Sequence, residues 1–193
     1  MLCTKHDNLP EQRDLRGAFI TTNSGVRFFV DECNIKDVPI QDIAHALSQN
    51  CRFNGHLADF YSVAEHSVIV SYLVPSRYAM TALLHDVSEA FVPDMPRPFK
   101  PLITGFEEYE DRIQEAVAAC YGTVYPLPEE VKYIDKNIVR DEAEAFYPDP
   151  PDWIEFYESV AAPLFFNAWS PKVAKAEFLD RFYYLRNRDK DDG

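Results

Sequence analysis

Residues 82–94, which read ALLHDVSEAFVPD, place two ionisable side chains side by side in an apolar setting. His85 and Asp86 stand where a buried helix would continue with aliphatic residues, and Glu89 follows one turn later. On a continuous helix one face would gather all three, because residues three and four positions apart are neighbours. Ionisable groups on a buried helix are costly unless something compensates them, and a bound divalent metal does so. The alternative is a His–carboxylate cluster at the surface.

Two more residues could join His85 and Asp86 as metal ligands. His66 lies on the apolar side of its predicted helix, and Asp135 lies on the apolar stripe of a later one. Each has an ordinary alternative, a hydrogen-bonded core histidine for the first and a salt-bridged helical aspartate for the second. Together, two imidazoles and two carboxylates suit one divalent transition metal: Mn²⁺, Co²⁺, Zn²⁺ or Fe²⁺.

The rest of the sequence predicts the elements that would position these residues. Apolar periodicity indicates helices at 41–49, 60–74, 76–91, 106–121, 128–146 and 171–185. The runs at 17–22 and 26–31 flank Asn-Ser-Gly and predict a β-hairpin. Four prolines exclude regular helix from 92–101, a loop that carries Arg97 and Lys100. This loop is either a rigid connector or a lid that brings cations to an anionic substrate.

We therefore predict an all-α fold in one domain over residues 1–193. A β-hairpin appendage occupies 1–40, a helical core 41–147, and C-terminal helices 148–193. The length of 193 residues is sufficient for a substantial core without disulfides.

Composition narrows the function classes. The net charge of −13 argues against a surface for duplex nucleic acid, although it does not exclude a small anionic substrate. The sequence contains no run of 18 apolar residues, so we expect no membrane span. The four cysteines show no metal-ligand spacing, so we expect reduced thiols in a cytoplasmic protein: Cys3, Cys33, Cys51 and Cys120.

With its surroundings, the arrangement His66 … His85-Asp86 … Asp135 resembles the HD-domain phosphohydrolase superfamily. The resemblance covers residues 40–146 and includes IAHALS, RF-x-GH, YSVAEHS, ALLHDVSEA, the proline-rich loop and KYIDKNIVRDEA. The sequence looks most like the short 5′-deoxynucleotidase branch and its phage relatives, the small dATP triphosphohydrolases. This resemblance implies a compact HD-domain helical bundle and makes the four residues its metal ligands.

The resemblance also implies residue roles. Glu89 would be the catalytic acid, and Asp94 would be a second carboxylate that assists catalysis or positions water. Four residues would contact substrate: Arg52 would grip phosphate, Phe53 (a Trp in relatives) would pack on the nucleoside, and Lys100 and Lys132 would hold further phosphates.

From these roles we expect a metal-dependent phosphohydrolase of 5′-deoxynucleotides. The two lysines favour a deoxynucleoside triphosphate, with dATP as the expected substrate and additional Mg²⁺ accompanying it. A 5′-deoxynucleotidase acting on a monophosphate stays open, as do a non-catalytic nucleotide-binding HD module, a cyclic-nucleotide phosphodiesterase and an HD nuclease. Because relatives commonly assemble, we also expect a homo-oligomer.

Overall fold

Helices form most of the protein, in agreement with the all-α prediction, and a small antiparallel sheet lies near its N-terminal end. The computed structural model describes residues 13–14, 16–160 and 166–191. Cys3 and most of the expected N-terminal appendage before the hairpin lie outside the described residues. Within them the α-helices are α1 (Ile40–Gln49), α2 (Val63–Leu73), α3 (Ala79–Leu83), α4 (Phe106–Tyr121), α5 (Glu129–Phe146) and α6 (Pro171–Asp191).

The sheet contains the predicted hairpin. Its strands are β1 (Arg13–Asp14), β2 (Gly17–Thr21) and β3 (Arg27–Phe29), paired antiparallel in the order β1-β2-β3. Phe19 pairs with Phe29 across the hairpin. The turn is closed by the Thr22 N–H, which donates to the Val26 carbonyl over 2.8 Å. The buried residues of β3 attach this sheet to the helical core.

Helix α2 is the central element, since it contacts α1, α3, α5 and α6. Nine successive residues from its first turn onward are buried, as expected for a helix surrounded by others. The predicted start at residue 60 is wrong. Ser62 is the N-cap, and its side chain accepts the Glu65 N–H over 3.1 Å. Residues 60 and 61 lie outside the helix, and the Tyr61 carbonyl accepts the Arg52 N–H over 2.9 Å.

The predicted continuous helix from 76 to 91 is also wrong. It is divided into a 3₁₀ turn at Ser76–Tyr78, α3, and a second 3₁₀ turn at Val87–Ala90. The break falls at His85 and Asp86. The His85 carbonyl accepts from the Gln114 side chain through Nε2. The Glu89 N–H donates to the Asp86 carbonyl over 3.0 Å, in a 3₁₀ pattern, and not to the His85 carbonyl as it would in an α-helix.

The boundaries of α4 and α5 agree closely with the sequence. Helix α4 ends at Gly122, whose φ of 70° is the left-handed conformation favoured at a helix C-terminus. Helix α5 begins directly after Pro128. Helix α6 begins at Pro171 as predicted, but it continues to Asp191, beyond the predicted end.

Two groups of buried apolar residues surround α2. One joins β3, α1, α4 and α6, and the other joins α2 to α5. The polar cluster described below lies where α2, the break after α3 and α5 meet. In the described part of the chain, no helix is both long and apolar enough to cross a membrane.

Candidate metal centre

Four side chains from three parts of the fold meet at one point. They are His66 of α2, His85 and Asp86 at the break after α3, and Asp135 of α5, and one ligand atom of each lies within 4.8 Å of the others. His66 Nε2 lies 3.3 Å from His85 Nε2 and 3.2 Å from Asp135 Oδ1. His85 Nε2 lies 3.2 Å from Asp86 Oδ2. The structure thus brings together the four residues that the sequence singled out as ligands.

The spacing of these atoms fits a transition-metal ion. Ligand atoms about 2.0–2.2 Å from a common centre lie roughly 3.4 Å apart in a tetrahedral arrangement. The separations that the two Nε2 atoms make with each other and with the carboxylates lie between 3.2 and 3.6 Å. The two imidazole nitrogens thus lie at distances from each other and from the carboxylates that suit ligands of one metal ion, and all four ligand atoms lie within 4.8 Å of one another.

The hydrogen bonds of the two imidazoles also favour a cation. His85 Nδ1 lies 2.7 Å from the Ala82 carbonyl oxygen, which can only accept, so Nδ1 donates. His66 Nδ1 likewise donates to Glu142 Oε1 over 2.6 Å. In the neutral rings both Nε2 atoms then carry lone pairs, and these face each other. Once both rings are neutral, two fixed lone pairs aimed at one point are the donor set of a metal site.

The charges of the cluster depend on one another. Burial alone would lower the pKa of His85, but Asp86 and Asp135 raise it well above its ordinary value. Burial alone would raise the pKa of Asp135, but hydrogen bonds from His66 and His85 hold it well below its ordinary value. Protons shared in this way are what a divalent cation displaces when it binds.

Two further carboxyl groups lie beside the cluster, as the sequence predicted. Glu89, in the 3₁₀ turn after the break, is 9% exposed, and its Oε2 is buried without a hydrogen-bond partner among the described residues. Burial, Asp86 and Asp94 raise the pKa of Glu89 well above its ordinary value. Burial also raises the pKa of Asp94, although Arg52 opposes the shift. An unpaired buried carboxyl is costly, so such a group suggests a role in chemistry.

A cavity of about 460 Å³ opens beside these groups. Its polar lining includes Arg52, Asp94 and Arg97, and Arg97 NH2 lies 3.9 Å from Asp135 Oδ2. Its aromatic lining consists of Phe53, Phe99, Tyr147 and Trp153. The cavity therefore joins an apolar, aromatic region to a cationic one at the edge of the metal cluster.

Phe53 reaches this cavity through an unusual turn. Phe53 and Asn54 have φ values of 53° and 54°, in the left-handed region that a bulky side chain rarely adopts. Its ring stands edge-on to that of Tyr147, with the centroids 5.9 Å apart. Strained backbone of this kind persists where the surrounding structure holds it, and it is concentrated at functional sites.

The two lysines predicted to hold phosphates are each paired with an acid. Lys100 Nζ donates to both carboxylate oxygens of Glu110, over 3.0 and 3.1 Å. Lys132 Nζ donates to Glu129 Oε1 over 2.9 Å and is largely exposed. Lys132 lines a separate cavity on α5, whereas Lys100 interacts electrostatically with Glu89 and Asp86. Of the predicted substrate contacts, only Arg52 and Phe53 line the aromatic cavity.

Sequence reasoning missed Glu142, which is fully buried beside the cluster. Its carboxylate contacts His66, Tyr61 and Arg52. The sequence does indicate part of its position, because Glu142 follows Asp135 by two helical turns and so lies on the same face of α5. The aromatic wall from Tyr147 and Trp153 gave no such signal, because it forms through contacts between distant parts of the chain.

Comparison with known proteins gives relatives over most of the chain. No protein-family model matches it. It is 38% identical over 167 residues to the uncharacterized protein YfdR of Escherichia coli K12, a match that covers 86% of this chain and 94% of YfdR. It is 38% identical over 135 residues to the uncharacterized protein RCAP_rcc00048 of Rhodobacter capsulatus, which covers 63% of this chain and 69% of that protein.

Proposed function

The chain belongs to the family of YfdR, and from the chemistry of its site we propose that it is a metal-dependent phosphohydrolase of 5′-deoxynucleotides with an HD-domain core. The observation that carries the proposal is the pair of fixed imidazoles facing two carboxylates, with the unpartnered Oε2 of Glu89 beside them. A structural histidine cluster has no need of a buried carboxyl without a partner. The same observation argues against a nucleotide-binding module without catalysis.

The proposed metal would be held by His66, His85, Asp86 and Asp135. Mn²⁺, Co²⁺, Zn²⁺ and Fe²⁺ all match this donor set. When bound, such an ion polarises a phosphoryl oxygen and makes a water molecule acidic enough to attack near neutral pH. The residues around it then determine which phosphate ester is attacked and where protons go.

Arg52 and Arg97 would bind the phosphate group, because both line the cavity and each lies near a carboxylate of the metal cluster. A guanidinium group binds phosphate through parallel hydrogen bonds. Phe53 and Tyr147 would hold the base, since they form the aromatic lining next to Arg52. The cavity of about 460 Å³ lies within the range for small-ligand sites.

Glu89 would handle the proton at Oε2, the atom that lacks a partner. Water attacks phosphorus, the bond from phosphorus to the 5′ oxygen breaks, and that oxygen must receive a proton. A carboxyl with a raised pKa is suited to this transfer. Asp94, which also lines the cavity, would orient the attacking water.

Two product patterns are compatible with this chemistry. The form that the resemblance favours is hydrolysis of a deoxynucleoside triphosphate, dATP, to deoxynucleoside and triphosphate, with Mg²⁺ neutralising the distal phosphates. The second is a 5′-deoxynucleotidase that releases phosphate from a monophosphate. The pairing of Lys100 with Glu110 and of Lys132 with Glu129 favours the second form, because paired lysines are less available to distal phosphates.

The test is product analysis after metal reconstitution. The protein is stripped with a chelator, reloaded separately with each of the four metals, and incubated with dATP and with dAMP. Release of deoxyadenosine and triphosphate from dATP supports the first form. Release of deoxyadenosine and phosphate from dAMP, with no hydrolysis of dATP, supports the second form. An Asp86→Ala variant should be inactive in both assays. If no metal supports hydrolysis of either nucleotide, the proposed function is wrong.

A further inference from the structure

Glu142 is the most completely enclosed charged group near the metal cluster. It is 0% exposed and lies on α5 two turns after Asp135. An ionised carboxylate in such a place must be compensated by hydrogen bonds or opposite charge. Three side chains supply this compensation, and two of them belong to the proposed site.

One oxygen of Glu142 orients a metal ligand. Oε1 accepts from His66 Nδ1 over 2.6 Å and from the Tyr61 hydroxyl over 2.9 Å. The contact with Nδ1 fixes the rotation of the His66 ring and its tautomer, so that the Nε2 lone pair points at the cluster. It also increases the basicity of Nε2, which strengthens metal ligation.

The other oxygen holds the arginine proposed to bind phosphate. Oε2 accepts from Arg52 NH2 over 3.1 Å, while Arg52 NH1 lies 3.7 Å from Asp86 Oδ2. The Arg52 side chain is only 12% exposed. A buried guanidinium held between two carboxylates has a defined orientation, so Arg52 is presented to the cavity that it lines in a fixed arrangement.

We propose that Glu142 is a positioning residue that fixes His66 for metal binding and Arg52 for phosphate binding at the same time. One carboxylate would thereby set the distance between the metal and the phosphate site. The arginine half of this inference rests on the proposed function. The metal half rests only on the four-residue cluster, so the two halves can be tested separately.

The first measurement is metal affinity, which needs no turnover. Glu142→Gln retains the size of the side chain but has only one acceptor oxygen for three donors. We expect its affinity for Co²⁺, measured by competition with a chromophoric chelator, to fall about 10–100-fold. Tyr61→Phe removes a donor that does not touch the cluster, and its affinity should stay within about threefold of the unmodified protein.

Glu65→Gln is the matched control. Glu65 is also 0% exposed, but its carboxylate accepts the backbone N–H groups of Asn167 and Trp169 rather than a site residue. The control should lose stability and keep its Co²⁺ affinity. Equal affinity losses in Glu65→Gln and Glu142→Gln would overturn the proposal, since the effect would then be general destabilisation. So would an unchanged affinity in folded Glu142→Gln.

The second measurement is binding of dAMP by calorimetry, with Co²⁺ at saturating concentration in a Glu89→Gln background to prevent turnover. Adding Glu142→Gln should weaken dAMP binding about tenfold, which corresponds to one lost charged contact. If Glu142→Gln does not fold, Glu142→Asp replaces it, because the shorter side chain keeps the charge but cannot span from His66 to Arg52. Normal metal and dAMP affinities in either folded variant would overturn the inference. If the Glu89→Gln parent binds neither dAMP nor dATP, the proposed function fails, and the metal measurement still decides the role of Glu142.

Discussion

Substitution of Asp135 by Asn separates a metal site from a hydrogen-bonded polar cluster. Asp135 Oδ1 lies 3.2 Å from His66 Nε2 and 3.4 Å from His85 Nε2, so it faces both imidazoles at once. An amide oxygen is a much weaker ligand for a transition metal than a carboxylate. The variant keeps the shape of the side chain, and the main change is therefore in the charge and donor strength presented to a cation.

The expected size of the effect follows from binding linkage. A metal at 100 times its dissociation constant stabilises the folded state by about 2.7 kcal/mol. For a chain of this length, 1 kcal/mol corresponds to about 2–4 °C in melting temperature, so the metal should raise Tm by about 5–11 °C. If Asp135→Asn weakens binding about 100-fold, the same metal concentration stabilises it by only about 0.4 kcal/mol, or roughly 1 °C.

The assay is thermal unfolding with and without Mn²⁺, Co²⁺ or Zn²⁺, and the quantity compared is the metal-induced shift. Asp141→Asn is the control on the same helix. The Asp141 carboxylate is buried and accepts from the Ser159 hydroxyl and the Val160 N–H, away from the cluster. It should lower Tm equally in both conditions and leave the shift intact. A shift of the same size in Asp135→Asn and in the unmodified protein would refute the four-ligand centre.

Three other substitutions test neighbouring parts of the structure. Glu89→Gln should reduce turnover about 10²–10⁴-fold and keep the metal-induced Tm shift, so near-normal turnover would contradict its proton-transfer role. Arg97→Ala should raise KM for the nucleotide about tenfold. Its Tm should change little, because the Arg97 side chain is 57% exposed. An unchanged KM would exclude Arg97 as a phosphate contact. Asp42→Ala should lower the free energy of unfolding by about 2–3 kcal/mol in urea titrations at neutral pH. Burial alone would raise the pKa of Asp42, but hydrogen bonds from Ser24 and Thr22 hold it below its ordinary value. The stabilisation by Asp42 is therefore present above about pH 4 and is lost as the pH falls through the lowered pKa of Asp42 in the folded state. If the difference in unfolding free energy between Asp42→Ala and the unmodified protein stayed constant in acid, this origin would be contradicted.

Elements whose ends are set by local chemistry were predictable from sequence. Gly122 ends α4, Pro128 precedes α5 and Pro171 begins α6, because each fixes or frees φ without reference to the rest of the fold. The start of α2 was misplaced for the opposite reason. An apolar pattern reaches back to Phe60, but Ser62 is extended, forms a β-bridge with Cys51 and caps the helix.

The ligand set was predictable because its residue types are conspicuous on apolar stripes, whereas its supporting groups were not. In the sequence Glu142 resembles any other glutamate on a helix. Only the packing of α5 against α2 places it beside His66, which is 76 positions away in the sequence. Lys100 and Lys132 show the converse. Their charges are visible in the sequence, and Glu129 precedes Lys132 by three helical positions. Glu110, by contrast, becomes identifiable as the partner of Lys100 only in the folded chain.

The break after α3 changes the relative directions of two adjacent side chains. Neighbouring side chains on an α-helix point about 100° apart, and at the break His85 and Asp86 depart from that geometry. In the structure Asp86 has φ −106° and ψ 20°, outside the helical region, and its Oδ2 comes within 3.2 Å of His85 Nε2. The hydrogen bond from His85 Nδ1 to the Ala82 carbonyl holds the ring against the end of α3. The departure from helical geometry thus accompanies the close approach of the two side chains. The sequence pattern that favours helix through this segment conflicts with the structure at two residues of the candidate metal centre.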